Sequence, residues 1–124
     1  MVEILARTRR GAEIAVDVER VERRGPDFVV TPKGEVIPIP KGATGPVLAE
    51  NGKGYRYTGG SGGNGLDVRV SDVRIMAPTP PRGASPGYPG GYVSYGNTRG
   101  QTVHPQTGLP IARNDLFWHI PLTP

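Results

Sequence analysis

Val68, Val70, Val73 and Ile75 alternate with Arg69, Ser71, Asp72 and Arg74, the pattern of a half-buried strand. The step from 70 to 73 breaks strict alternation and permits a bulge. Pro78, Pro80 and Pro81 then stop the ladder, because proline has no donor to give a central strand. A basic strand end, Arg74, is thereby delivered into a rigid loop in which Thr79 offers a hydroxyl.

The same alternation predicts further strands. Phe28-Val29-Val30-Thr31 and Glu35-Val36-Ile37-Pro38-Ile39 flank Pro32-Lys33-Gly34 as a short hairpin, with Pro38 and Pro40 placing its second strand at an edge. Asn51-Gly52 turns the chain into a strand beginning at Lys53, with Lys53, Tyr55 and Tyr57 on one face and Arg56 on the other. Tyr92 and Ser94 likewise oppose Val93 and Tyr95, and either tyrosine suits the core or a substrate contact. A final strand is expected over 115–122, where Phe117, Trp118, Ile120 and Leu122 would anchor His119. Ile14, Val18 and Val21 fall at helical spacing, although Ile14, Val16 and Val18 also fit a strand. The stop at Gly25-Pro26 favours a helix over 12–23.

Turns are expected at Asn97-Thr98-Arg99-Gly100 and Pro105-Gln106-Thr107-Gly108. Lys41 to Pro46 reads as a connector, and without a Gly-Lys-Ser/Thr ending it gives nucleotide hydrolysis no support. Gly59 to Gly65 is either a linker or a loop, even a lid, that admits substrate.

The 124 residues suffice for one small domain. Glycine and proline contribute 33 of them, which favours short strands and long loops over a helical bundle. With no cysteine, disulfides and a thiolate nucleophile are excluded. No apolar run approaches the roughly 18 residues of a membrane span, so stable membrane insertion is not expected. Met1-Val2-Glu3-Ile4 lacks the basic start and apolar block of a secretory signal, so an export address is expected in a larger parent chain.

Charge narrows the partners. Residues 1–52 balance eight basic against eight acidic side chains, whereas 53–124 carry seven basic and three acidic ones. The whole net charge of +4 belongs to the second part, which suits a polyanion, an acidic protein or an anionic membrane surface.

His104 and His119 are the available imidazole bases, and His119, among aromatic neighbours, is the stronger candidate. RNA brings its own nucleophile, the ribose 2′-hydroxyl. It therefore needs a base, positive charge on the phosphoryl oxygens and an acid for the departing 5′ oxygen. His119 fits the acid-base role and Arg74 the phosphate, with Lys53 adding positive field and Thr79 and Tyr92 orienting oxygens. Arg56, Arg82, Ser94 and Tyr88 are further candidates for substrate contact. The products would be a 2′,3′-cyclic phosphate and a 5′-hydroxyl. Two histidines fifteen positions apart, with Asp67, Asp72 and Asp115, form no recognisable metal-ligand pattern, so neither metal nor cofactor is expected. A metal-dependent DNase and a non-catalytic nucleic-acid-binding or interaction module stand as alternatives.

Tyr55-Arg56-Tyr57, Val73 through Pro80, Tyr88 through Val93, Gln101 through Gly108 and Trp118-His119-Ile120 together resemble the C-terminal toxin domain of bacterial polymorphic toxins. The likeness covers about residues 35–122, after a helical and hairpin lead-in over 1–34, and looks similar to the barnase, EndoU and colicin-like ribonuclease group. The resemblance implies an α+β fold, an N-terminal helix packed beside a small curved antiparallel sheet with long Gly/Pro-rich loops. It also implies delivery by a bacterial producer within a larger secreted chain, RNA cleavage in the target-cell cytoplasm and neutralisation by a cognate acidic immunity protein. Within that pattern His119, Arg74 and Thr79 match, as Lys53 and Tyr92 do more loosely. The chain departs at Ala77, where similar domains carry an acid able to orient Arg74 or Lys53 or to move a proton.

Overall fold

Phe28–Val30 (β1) and Val36–Pro38 (β2) form the expected antiparallel hairpin, with Val29 opposite Ile37. Gly34, at a φ of 85°, supplies the left-handed residue of its turn. The structure, a computed structural model, describes residues 25–49 and 52–124. A second, five-stranded sheet follows in chain order: Thr44–Leu48 (β3), Gly54–Thr58 (β4), Asp72–Met76 (β5), Tyr92–Gly96 (β6) and Ile120–Pro121 (β7). Each strand pairs antiparallel with the next.

The α+β expectation is corrected by this arrangement. Every regular element among the described residues is a strand, and the larger sheet is open, with β3 and β7 at its edges, rather than curled. The helix expected over 12–23 lies outside the described residues. Three strand limits also move. Thr44 to Pro46, read as connector, belongs to β3, whose pairing with β4 shifts register between Thr44 and Val47. Proline is tolerated there because an outer strand need not donate on both sides. β5 begins at Asp72, not Val68, since the Asp67 carboxylate accepts the Arg69 N–H at 2.8 Å and turns the chain, leaving Val68 exposed. At the C-terminal end the Asp115 carboxylate accepts the Phe117 N–H at 2.8 Å, so 115–119 is a turn and only Ile120–Pro121 pairs.

One face of the larger sheet makes the core. Tyr57, Val73, Ile75, Val93 and Tyr95 pack with Ile37, Ile39, Ala43, Leu66, Val70 and Val103. Tyr95 donates to the Pro38 carbonyl at 2.8 Å, tying β6 to the hairpin, and burial pushes its pKa up. The glycine-rich stretch is not loose: Gly60 and Gly62 donate to the Ser71 and Val70 carbonyls at 3.0 and 2.9 Å. A β carbon on Gly62 would stand 2.7 Å from the Val68 backbone, so glycine permits this close approach. This stretch is therefore a wall of the core.

Candidate functional site

Alternation turns the intervening residues to the opposite face of the same strands. The registers align Val47, Arg56, Arg74 and Ser94 in one row across β3, β4, β5 and β6. The next row holds Gly54, Met76, Tyr92 and Pro121. His119 precedes Ile120, the partner of Val93, so it comes level with Ser94 on the face that carries Tyr92.

The row is costly to fold. Two like charges directly opposite one another forfeit roughly 0.2–1 kcal/mol. Arg56 Nε is also buried without a hydrogen-bond partner among the described residues, a condition that costs about 1–3 kcal/mol. A structural arginine pair would be repaired by a carboxylate. Among the described residues neither guanidinium has one at ion-pair distance, whereas Arg69 is met by Asp67 at 3.0 Å. Asp72, one step along the same face, accepts the Gly59 N–H at 3.2 Å. Both arginines are half-buried, and Ser94 between Arg74 and β7 is buried.

His119 is held on an aromatic pedestal. Its ring stacks on Tyr92 with centroids 3.8 Å apart and planes inclined by 22°. Its Nδ1 lies 3.3 Å from the Tyr88 hydroxyl, and Tyr88 in turn packs against Tyr92 at 4.8 Å. When Nδ1 carries the proton it donates to Tyr88 and leaves Nε2 bare as an acceptor. Burial first, then the charges of Arg74 and Arg113, hold the pKa of His119 below the ordinary 6.5. This direction favours the neutral imidazole.

The loop between β5 and β6 presents Tyr88. Thr79 and Tyr88 exchange two backbone hydrogen bonds of 2.9 Å, and the Thr79 hydroxyl accepts the Tyr88 N–H at 3.2 Å. Gly91, at a φ of 85°, lets the returning chain pass the Met76 carbonyl, into which a β carbon would run. Thr79 thus positions Tyr88.

The fold brings His119, Arg74, Tyr92, Tyr88, Arg56 and Ser94 to one face and leaves the other candidates apart. Lys53 is exposed just before β4, and alternation sets it with Tyr55 and Tyr57 rather than beside Arg74. Ala77 donates its N–H to the Lys53 carbonyl at 2.8 Å and lines an apolar groove of about 540 Å³ with Val29, Tyr55 and Leu122. Arg82 is exposed at the tip of the loop, bridged to Ser85. His104 is structural: its Nδ1 accepts the Gln106 N–H at 3.1 Å and its ring lies 4.1 Å from that of Phe117. Arg113, with its guanidinium 6.0 Å from the Trp118 ring centroid, was not among the residues expected from sequence, and its charge helps to hold the pKa of His119 down. Among the described residues no three His, Cys, Asp or Glu side chains gather to hold a metal ion, and no helix is long and apolar enough to cross a membrane.

Comparison of the chain with protein-family models, with curated proteins and with solved structures finds no match in any of the three.

Proposed function

We propose that this chain is a metal-independent endoribonuclease toxin domain. The observation that supports it most is an imidazole fixed by two tyrosines on the same sheet face as two guanidiniums that have no carboxylate partner among the described residues. In RNA the attacking group belongs to the substrate, so the protein needs only to move protons and accommodate charge. His119 Nε2 takes the proton of the ribose 2′-hydroxyl. The 2′ oxygen bonds to phosphorus while Arg74 stabilises the charge gathering on the phosphoryl oxygens. The bond from phosphorus to the 5′ oxygen then breaks, and the imidazolium returns its proton to that oxygen. The products are a 2′,3′-cyclic phosphate and a 5′-hydroxyl.

The resemblance to polymorphic toxins rests on sequence motifs alone. It supports a domain delivered within a larger secreted bacterial chain, acting in the target-cell cytoplasm. A cognate immunity protein would bring acidic side chains to the row of Arg56 and Arg74, where complementary charge speeds capture and occlusion stops cleavage.

The test is incubation of the chain with total RNA and with DNA, with and without a chelator, followed by mapping of product ends. Cyclic-phosphate ends on RNA, unaffected by chelator, are expected. DNA cleavage abolished by chelator would replace the reading with a metal-dependent DNase, and binding without scission would replace it with an interaction module. The Ala77→Asp variant belongs in the same assay, and because Ala77 lines the apolar groove apart from His119 and Arg74, an unchanged rate is expected. The acid at that position in similar domains motivates this arm, and equal rates at matched folding would remove the carboxylate from the mechanism.

A further inference from the structure

Resting on the nuclease reading, we infer that Arg56 forms a second phosphate subsite, so that the site grips a strand carrying at least two consecutive phosphodiesters. Reading across the sheet, His119 stands at the β7 edge over Tyr92, Arg74 one strand inward from β6, and Arg56 one strand further. His119 comes level with Ser94, Ser94 faces Arg74, and Arg56 lies one strand beyond Arg74 in the same row. Arg74 is therefore the nearer guanidinium to the imidazole along the row and takes the scissile phosphate, which leaves Arg56 for a neighbour. Adjacent strands lie about 4.8 Å apart. Two long side chains splayed from that spacing suit consecutive phosphates along one strand, whereas a single phosphate needs only one fork.

Arg56 itself points to a ligand. Among the described residues its buried Nε has no hydrogen-bond partner and no acid neutralises it. Beyond it the row ends on β3 at Val47, an apolar side chain that is 48% exposed. The track therefore offers two cationic positions and stops. It crosses β6, β5 and β4 at right angles to the strands.

The experiment compares a dinucleotide having one cleavable ribose and one phosphodiester with two trimers that extend it by a deoxynucleotide on either side. All-deoxy versions serve as uncleavable binding probes. One of the trimers is expected to be cleaved with kcat/KM about tenfold or more above the dinucleotide, the yield of one added charge-assisted contact. Arg56→Gln is expected to bring that ratio close to one and Arg56→Lys to restore part of it, with melting curves confirming the fold. Arg74→Gln is expected to slow dinucleotide and trimer by the same factor. Equal kcat/KM for dinucleotide and both trimers, or a length advantage that survives Arg56→Gln, overturns the subsite while leaving ribonuclease activity intact. An Arg56-dependent gain in affinity for an all-deoxy trimer, without cleavage of any ribose, keeps the subsite and overturns the nuclease reading.

Discussion

Tyr92 and Tyr95 lie three residues apart in β6, and their fates summarise the two faces of the larger sheet. Tyr95 is buried with its hydroxyl on the Pro38 carbonyl, among Ile37, Val73, Ile75 and Val93 of the core. Tyr92 is half-buried, carries the imidazole of His119 on its ring, and shares its side with Arg56, Arg74 and Ser94. The core face lowers free energy by removing apolar surface from water. The opposite face spends part of that gain on cationic groups that have no carboxylate partner among the described residues. A sheet that carried charge only for solubility would leave those groups exposed, not half-buried and opposed.

The sharpest way to break this division is His119→Ala. RNA cleavage is expected to fall by about 10²–10⁴-fold, the usual worth of a positioned acid-base group, with little change in melting temperature. Activity retained at matched folding would remove His119 from the chemistry. Next come neighbours on β5. Ile75→Ala is expected to cost about 2–5 kcal/mol of stability in a urea titration, with activity per folded molecule kept. Arg74→Gln is expected to do the reverse, and similar profiles for the two would erase the distinction between faces. Acidity sharpens the picture further. Because the folded state lowers the pKa of His119, the neutral base persists to below pH 6.5 and is lost as pH falls through the lowered value. The acid limb of the pH–rate profile should therefore have its midpoint below 6.5, and Arg74→Gln should move it upward. Any stability that His119 contributes follows the same sign, present above the unfolded value and lost on acidification. The smallest effect is expected from Arg56→Leu, which relieves repulsion and an unsatisfied Nε and should raise stability by about 1 kcal/mol. A loss of stability comparable to that of Ile75→Ala would make Arg56 a structural residue.

Much of this division was legible in the alternation of side chains. Tyr92 and Ser94 against Val93 and Tyr95, Arg56 against Tyr55 and Tyr57, and the hairpin around Pro32 to Gly34 all stand as the pattern indicates. What the pattern missed has local causes. Gly45 and Pro46 look like breakers yet lie in β3, at an edge where missing donors do little harm. The carboxylates of Asp67 and Asp115 draw backbone N–H groups into turns and shorten strands that hydropathy alone extends. Convergence of His119 on Arg74 depends on register between strands far apart in sequence. Arg113 acts through space from an exposed turn that no periodicity marks.

β7 is only two residues long, and His119 immediately precedes it. The imidazole thus rides on the most lightly fastened strip of the sheet, while Arg56 and Arg74 are stitched into its middle. Peeling back the last few residues would unplug the base and leave the cationic platform standing. On the proposed reading, shortening the chain before residue 119 would abolish cleavage while keeping the affinity for a strand.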